Sequence, residues 1–494
     1  MTLQQSTGNR YTKVDQSYFD KRGLKRYAGV WSLWALGVGA VISGHFSGWN
    51  LGLANGWGSM FVATIIIAIM YLGLCFSLAE MSPALPHTGG AYSFARTAMG
   101  RWGGFLTGLS ENVEYVLTPA VIVYFISSYM AGIFDTSMAT LPLWWVGFYV
   151  VFISLNIVGV ELSFKLTLLV TLLALSCLLM FWASALPSID FTKWALNVGA
   201  DGVLLPEGNG PLLPFGLGGI LACLPFAVWL FLAIEQLPLA AEESIDPKRD
   251  MPRGILAGFF TLLLSAFMIL WLNPSVAGVG SFQLAGSGEP LLDGYKAIYG
   301  DGIAKLLATI AVLGLVASFH TIIFAQGRQI YSLSRAGYFP SGLSVTHGSR
   351  KTPHRAMIAG AGLALTVMFI LWFSMGSDQG AAIIGGTLLN MAVFAAMFSY
   401  IMQALSFILL RRKLPRLERP YRSPFGVLGA SLTILIATIT LYYQLTDPVY
   451  RQGVLWVAGW FAAGILYFTL IGRHRLILSP EEEFALEHDK APAL

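Results

Sequence analysis

The chain carries little charge for its size. Its 494 residues include 30 Lys and Arg and 26 Asp and Glu, together 11%, whereas soluble domains have about a quarter of their residues charged. Hydrophobic residues make up 56% of the sequence. This balance excludes an ordinary soluble enzyme or binding domain and indicates an integral membrane protein.

Cysteine is also scarce. Cys75, Cys177 and Cys223 each lie within an apolar run, which points to packing and not to a disulfide framework or a zinc site. The polar, basic N-terminal segment has no short apolar core followed by a small-residue cleavage site, so we expect the first apolar run to direct insertion. The sequence has no nucleophile-base set, phosphate loop or metal cluster, which disfavours an enzyme and predicts neither cofactor nor metal.

Apolar runs with hardly a charge are what the chain has in abundance. Most of them reach the roughly 20 residues that a helix needs to cross a bilayer. The sequence therefore predicts an all-α integral membrane protein with about twelve transmembrane helices, called spans 1 to 12. They are expected at residues 30–53, 58–78, 104–131, 144–160, 164–186, 217–241, 255–276, 303–333, 356–375, 381–410, 427–445 and 453–471.

The basic residues are distributed unevenly between the two sides of these spans. An even number of spans puts both termini on one side, and 26 Lys and Arg fall there. Only Lys193, Lys296, Lys305 and Arg451 fall on the other side. The positive-inside rule then predicts a multi-pass protein of the cytoplasmic membrane with both termini in the cytoplasm. The net charge of +4 needs no nucleic-acid partner, and the expected partners are membrane lipid and a small solute.

Span 1 is interrupted by a glycine-rich stretch, GVGAVISGHFSGWN at residues 37–50. Inside a bilayer, backbone outside a helix is tolerated only where protein or a water-filled cavity satisfies it, and half-helices of this kind bind the substrate in secondary transporters. A flexible kink or a close helix crossing is the alternative. We expect a substrate site at this break, with Ser43, Gly44, His45 and Phe46 as candidate contacts.

Span 6 reads PFAVWLFLAIEQLPLAAEE at residues 225–243, with two prolines and an acid. Proline removes a backbone donor and clashes with the preceding turn, so this span too is predicted to be broken. Paired interruptions in two halves of a chain indicate a transport site.

Spans 1 and 6 would each open a five-helix repeat. Because no residue-level identity links the halves, this repeat is inferred from the breaks alone. The predicted single transporter domain comprises repeats at 28–190 and 215–412, two additional helices at 424–473, and cytoplasmic tails at 1–27 and 474–494.

Five motifs resemble amino acid permeases of the amino acid-polyamine-organocation superfamily. They are GVGAVISG at 37–44, SLAEMSP with PHTGGAY at 77–92, AEESIDPKRDMPR at 241–253, RQIYSLSRAG at 328–337 and RPYR at 419–422. The resemblance implies an inverted repeat with discontinuous helices 1 and 6. It also implies a proton- or ion-linked carrier of a small amine or amino acid that works by alternating access. The segments at 42–50 and 111–115 most resemble ethanolamine permeases.

Two acids in span 3 are further candidates. Glu111 and Glu114 are three residues apart, so they share a helix face, and ionisable groups inside a span are costly enough to suggest function. Two acids together attract a cation; a solvated carboxylate near a mouth, or an ion pair between helices, is the alternative. Since the third helix lines the pocket in the related fold, Tyr115 is a candidate neighbour of the ligand, with simple packing as its alternative.

Span 6 offers one acid and two aromatic rings. Glu235 is expected to accept N–H groups of the unwound backbone more than to contact the ligand itself. Phe226 and Trp229 precede it and are candidates for an aromatic wall that holds an ammonium group by cation-π attraction. Packing within the bundle is the alternative for both rings.

His45 departs from the pattern of the resemblance. Amino acid carriers of that family have a glycine-rich turn here whose N–H groups receive the substrate carboxylate, and His45 stands where a third glycine is expected. Its side chain favours a ligand without a carboxylate, such as ethanolamine. A titrating gate, or a neutral histidine bonded to a freed carbonyl, are the alternatives.

The coupling ion, a proton or sodium, stays open. Proton-linked relatives have a lysine in the fifth helix, and the nearest equivalent here is Thr171, so that mechanism does not transfer directly. Ser318 and Thr321 in span 8 offer hydroxyl oxygens for sodium together with carbonyls of the first break. Hydroxyls in membrane helices usually bond their own backbone, which is the alternative.

The sequence thus predicts a secondary active transporter that imports ethanolamine or a similar small primary amine. The close alternative is a permease for a neutral or gamma-amino acid. A non-transporting sensor with a permease fold is a third hypothesis, and it would normally need an added signalling region. A channel is disfavoured because the chain shows paired breaks and no pore motif.

Overall fold

The computed structural model describes residues 24–86, 89–375 and 381–477, without the side chains of residues 160–162, 381 and 382. Within these ranges the protein is built of helices and contains no strand longer than an isolated bridge, which confirms the predicted all-α class. Most of both predicted tails lies outside the described residues. So do His87 and Thr88 of the PHTGGAY motif.

The predicted spans are confirmed among the described residues. Eleven helices are long and apolar enough to cross a membrane, and twelve spans result when the bent pair in span 1 is counted as one. The spans other than 1 and 6 are span 2 Trp57–Ala84, span 3 Gly90–Phe134, span 4 Leu141–Val158, span 5 Val160–Ala185, span 7 Pro247–Leu272, span 8 Asp301–Arg335, span 9 His354–Met375, span 10 Ala381–Lys413, span 11 Gly426–Thr446 and span 12 Arg451–Leu470. Span 3 has a kink near its start, at Gly100, whose φ of +73° is not helical. Short helices between them are Met138–Thr140, Leu186–Ser188, Phe191–Ala195, Asn273–Ser275, Gly280–Leu284, Pro290–Tyr299, Ser341–Ser344 and Gly472–His474.

The break in span 1 lies near the end of the glycine-rich stretch 37–50. It is helical over Val30–Val41 and Ser43–Phe46 and continues as a 3-10 helix at Trp49–Asn55, with a bend of 41° between the two parts. The turn falls at Gly48, whose φ of +96° is a conformation that side chains with a Cβ rarely adopt. The earlier glycines Gly37 and Gly39 stay helical and serve close packing instead, since a side chain at Gly37 would collide with Leu237. The break is therefore a short turn and not a long unwound loop.

Span 6 is interrupted between its two prolines. Residues 230–233 separate helix Gly216–Trp229 from 3-10 helix Ile234–Glu243, and Ala233 among them has a φ of +86°. A positive φ is strained for alanine, so the surrounding packing must hold it. The predicted interruption of span 6 is confirmed.

Burial separates an inner group of spans from an outer one. The apolar stretches of spans 3, 6 and 8 are 83%, 72% and 72% buried, whereas those of spans 4 and 12 are 22% and 17% buried. The outer spans expose large apolar side chains such as Leu143 and Leu466, as expected for surfaces that face lipid. The two broken spans therefore lie within the inner group.

The two ends of the bundle differ in their connections. At one end, called the basic end, Arg411 pairs with Glu80 and Lys248 pairs with Glu418. At the other, called the far end, the segment 280–299 with helices Gly280–Leu284 and Pro290–Tyr299 lies over the break of span 1. This far-end segment is called the lid.

Candidate functional site

Two carboxyl groups meet near the middle of the bundle. Glu114 comes from span 3 and Glu235 from the second part of span 6, and both side chains are buried. Their carboxyl groups lie within hydrogen-bonding reach of each other. Because two ionised carboxylates only accept hydrogen bonds, this contact requires a shared proton or a cation between them.

One oxygen of each carboxyl group lies within hydrogen-bonding distance of a tyrosine hydroxyl. Tyr115 Oη donates to Glu235 Oε1 at 3.4 Å, and Tyr400 Oη of span 10 lies 3.4 Å from Glu114 Oε1. Tyr71 of span 2 lies behind Tyr400, with 3.0 Å between the two hydroxyl oxygens. The pair is therefore held from four spans.

The remaining oxygens of the two acids differ. Glu235 Oε2 accepts the N–H of Ala233 at 3.0 Å, so this acid satisfies the interrupted backbone as the sequence predicts. Apart from the facing carboxyl of Glu235, Glu114 Oε2 is buried without a hydrogen-bond donor among the described residues. An unsatisfied carboxylate oxygen is costly, so outside the contact with Glu235 this oxygen is an acceptor without a partner.

Glu111 lies one helical turn away on the same face of span 3. Its Oε2 accepts a hydrogen bond of 2.8 Å from Gln329 Nε2 in span 8. It makes no hydrogen bond with Glu114 or Glu235 within the described part of the chain, although its charge acts on both. The acid that contacts the broken span is thus Glu114, and Glu111 belongs to the contact between spans 3 and 8.

The three acids have no basic partner in the described ranges. Ion pairs there involve Glu80, Asp135, Glu242, Glu243, Asp301 and Glu418, and none includes an acid of the central group. Buried carboxylates without a cationic side chain create a strongly negative potential in a low-dielectric interior. This arrangement attracts a small cation or protons.

The two broken spans touch through Trp229. Its indole Nε1 donates to the carbonyl of Ser47 at 3.0 Å and lies over Gly48, where a Cβ would come within 2.6 Å of that nitrogen. Its own carbonyl lies against Gly44, so closely that a side chain there would collide with it. Trp229 therefore joins the breaks to each other, and Gly44 is required by this close approach.

The other residues predicted at the first break face its packing neighbours. The His45 ring is fully buried, and its polar neighbours are the backbone groups of Leu262 and Ile42. The Phe46 ring lies on Gly314 of span 8. Phe226 packs against Tyr450, with ring centroids 5.9 Å apart. The structure does not bring these three side chains to the acid pair.

The predicted ion-coupling hydroxyls do meet at span 1. Ser43 N donates to Ser318 Oγ at 2.8 Å, and Ser318 Oγ donates to the Gly39 carbonyl at 2.6 Å. Ser43 N–H and Gly39 C=O would bond each other in a regular helix, so the serine is inserted into the helical ladder and explains the irregular residue between Val41 and Ser43.

The two threonines complete this group. Thr171 Oγ1 donates to the Ala35 carbonyl at 3.1 Å and lies next to Gly39. Thr321 Oγ1 reaches the Ala317 and Ser318 carbonyls of its own helix, each at 3.0 Å. Thr321 thus bonds its own helix, which is the alternative that the sequence left open, whereas Ser318 and Thr171 bond carbonyls of span 1. Among the described residues, no group of three or more His, Cys, Asp or Glu is placed to hold a metal ion.

The lid is tied to the first break at the far end. Asn50 Nδ2 donates to the carbonyls of Leu284 and Ser287 at 2.6 and 2.8 Å. Tyr129 Oη donates to the Phe46 carbonyl at 3.0 Å and accepts the Leu291 N–H at 3.2 Å. These bonds connect the lid to both sides of the turn at Gly48.

An acidic pair lies on the lid. Glu289 faces Gly132 of span 3 in a cavity of about 370 Å³ that Asp293 and Ser287 also line. Burial and the neighbouring Asp293 raise the pKa of Glu289 to about 7, against a smaller lowering by Lys296. The charge of the lid therefore changes near neutral pH.

The basic end is closed by two ion pairs of span 8. Arg328 donates to both oxygens of Glu243, at 2.7 and 3.2 Å, and both side chains are almost completely buried. Arg335 does the same with Glu242, at 2.6 and 3.2 Å. The carbonyl of Glu243 also accepts the N–H groups of Tyr27 and Ala28, which fastens the start of span 1 to the end of span 6.

Sequence reasoning missed Tyr71 and Tyr400. Each is a single tyrosine in an apolar run, and such residues carry no periodic signal that separates a site from packing. The feature that identifies them is the contact between spans 2 and 10, where Tyr71 and Tyr400 meet although they are 329 positions apart in the chain. Only the fold could bring them to Glu114.

A multi-pass helical bundle whose two interrupted spans adjoin a buried acidic site, closed by a lid and by ion pairs at opposite ends, has the architecture of a membrane carrier. The amino acid permease family model matches residues 29–469, and the chain belongs to that family.

Individual relatives agree with this assignment. The methylthioribose transporter of Bacillus subtilis (strain 168) is 24% identical over 484 residues, which cover 93% of this chain and 96% of the relative. The branched-chain amino acid permease BcaP of the same organism is 23% identical over 475 residues, 92% and 94% of the two chains. An uncharacterized transporter of Rhizobium meliloti (strain 1021) is 28% identical over 442 residues, 86% and 88% of the two.

Proposed function

We propose that this permease carries ethanolamine or a similar small primary amine, and that Glu114 receives its ammonium group. The observation that carries the proposal is Glu114 Oε2, a buried carboxylate oxygen without a donor, beside a second carboxyl and without a basic side chain. A primary ammonium supplies both the positive charge and the N–H donors that this oxygen lacks. Ethanolamine is the substrate we propose because the end opposite its ammonium group carries no charge.

The chemistry of the first break supports a ligand without a carboxylate. The N–H of Ser43 is taken by Ser318, and the face of Gly44 is covered by the carbonyl of Trp229. The turn thus offers oxygen atoms where a carboxylate would need N–H donors. His45 adds bulk at the same turn, although its ring faces span 7 and not the acids.

Amino acid transport is the second candidate function. It is favoured by the family match and by relatives named as permeases for branched-chain amino acids and for gamma-aminobutyric acid. These substrates also carry an ammonium group, so Glu114 would serve them equally. The carboxylate would then need donors away from Gly44.

Transport would proceed by alternating access about the two breaks. We place the protein in the cytoplasmic membrane. The basic end would then face the cytoplasm, as the positive-inside bias indicates. Opening on that side separates Arg328 from Glu243, and opening on the other side lifts the lid from Asn50 and Tyr129. Spans 1 to 5 and 6 to 10 would form the inverted repeat, each beginning with a broken helix.

Uptake of labelled ethanolamine into proteoliposomes tests the proposal, with isoleucine and gamma-aminobutyric acid as labelled alternatives. We expect saturable ethanolamine uptake by the wild type and its loss in Glu114→Gln, because the amide cannot neutralise an ammonium. Glu207→Gln, which alters an exposed acid of the far end, is the matched control and should transport normally.

Repeating the assay with imposed proton and sodium gradients identifies the coupling ion. Saturable amino acid uptake without ethanolamine uptake would replace the first candidate by the second. Full ethanolamine uptake by Glu114→Gln would remove this acid from the site.

A further inference from the structure

The hydroxyl groups of Tyr71, Tyr400 and the carboxyl of Glu114 form a chain in which each group contacts the next. The distances are 3.0 Å between the two phenol oxygens and 3.4 Å from Tyr400 Oη to Glu114 Oε1. When Glu114 is ionised it can only accept, so Tyr400 Oη donates to it and accepts from Tyr71 Oη. The order of donation is therefore set by the ionised state of Glu114, the state in which it receives an ammonium group.

We propose that this relay orients Glu114 and thereby selects primary amines over N-methylated ones. Tyr400 is the positioning residue, and Tyr71 acts only through it. The inference rests on the proposed function, since it concerns the ammonium group that Glu114 receives.

The relay leaves one defined acceptor for the ligand. With Oε1 held by Tyr400, Oε2 is the oxygen that remains without a donor. A primary ammonium has three N–H groups to offer such an acceptor, whereas a quaternary ammonium has none. Selectivity for unmethylated amines therefore depends on the direction in which Oε2 points.

The surrounding aromatic rings do not distinguish primary from methylated ammonium groups. Tyr71 packs edge-on against Tyr400, with centroids 5.5 Å apart, and against Phe231 at the break of span 6, at 5.3 Å. Aromatic faces attract methylated ammonium groups as well as primary ones. When the hydroxyl relay is removed and the rings are kept, discrimination against N-methylated amines should fall.

Phenylalanine substitutions test the relay because they keep the rings. In proteoliposomes, Tyr400→Phe should raise the KM for ethanolamine by about tenfold, the usual scale for one lost hydrogen bond to a charged group, with little change in maximal rate. Inhibition by choline relative to ethanolamine should increase. Tyr71→Phe should raise KM less, and the double variant should match Tyr400→Phe alone.

The control is Tyr149→Phe. Tyr149 is a buried tyrosine of span 4 whose hydroxyl has no hydrogen-bond partner among the described residues, so the KM should not change. Melting temperature and elution on size exclusion separate a transport effect from misfolding. If Tyr400→Phe elutes as aggregate, Tyr71→Phe carries the test, and an unchanged KM and choline inhibition in that variant would overturn the relay.

The outcomes separate this inference from the proposed function. An unchanged KM and choline selectivity in Tyr400→Phe, or additive effects of the two substitutions, would overturn the relay while leaving ethanolamine transport in place. Absence of ethanolamine uptake by the wild type would overturn the proposed function and the relay with it.

Discussion

Two buried acids at different depths of the bundle have opposite surroundings. Glu243 at the basic end is bound by both nitrogens of the Arg328 fork, whereas Glu114 in the middle meets another carboxyl and two phenols in sequence. Both side chains are 0% exposed. Equal burial with unequal pairing separates the two acids: Glu243 holds the basic end together through Arg328, whereas the lack of a basic partner at Glu114 supports the proposal that it receives a cation.

The largest effect should come from breaking the paired acid. Arg328→Met keeps an apolar side chain over Phe324, on which the guanidinium now lies at 3.8 Å, but leaves Glu243 buried without a partner. Removing one member of a buried pair typically costs about 3–5 kcal/mol, so thermal unfolding in detergent should occur at a clearly lower temperature.

A matched control uses an exposed pair of the same end. Lys248→Met breaks the contact with Glu418, whose partners are 58% and 73% exposed, and such pairs contribute about 1 kcal/mol or less. Equal melting temperatures for the two variants would mean that Glu243 is not held as the structure shows. Adding Glu243→Gln to Arg328→Met should restore part of the loss.

The unpaired acid should respond in the opposite direction. Glu114→Gln removes one of two facing carboxyl groups and supplies an amide N–H to Glu235, so the protein should unfold at the same or a higher temperature, with a gain on the order of 1 kcal/mol. Thermal unfolding of the purified variant measures this. A loss comparable to that of Arg328→Met would show that Glu114 is structural and would contradict its assignment to the ligand.

This contrast also marks what the sequence could predict. Span positions follow from apolar composition, which is a local signal. Pro225 and Pro238 indicate that span 6 is interrupted but not where, because both prolines stay within helices and the break lies between them at residues 230–233. The position of the turn in span 1, at Gly48, could not be read from the glycines alone, because Gly37 and Gly39 are used for close packing against Leu237 and Thr171, which are distant in the chain. The phenols that hold Glu114 required the packing of spans 2 and 10.

The smallest effect concerns Glu289, the acid on the lid, whose pKa is raised to about 7. Its pairing is intermediate between that of Glu243 and that of Glu114. The ordinary value for a glutamate is 4.5, so the closed lid binds this proton more tightly than an opened lid would. Closure is therefore progressively disfavoured as pH rises from about 4.5 to 7, and the penalty is constant above that range. Asp293, which adds to the shift, and Lys296, which opposes it, are the charged neighbours.

Hydrogen–deuterium exchange of residues 280–299 at several pH values, corrected for the intrinsic pH dependence of exchange, measures this closure. We expect protection of the lid to decrease across that range in the wild type and to decrease less in Glu289→Gln, in which Asp293, whose pKa burial also raises, is left to titrate. Glu207→Gln should behave as the wild type, because its exposed acid is not part of the lid contact. An equally large pH dependence of protection in Glu289→Gln would assign the effect to another group. It would contradict the role of Glu289 as an acid whose pairing is intermediate between that of Glu243 and that of Glu114.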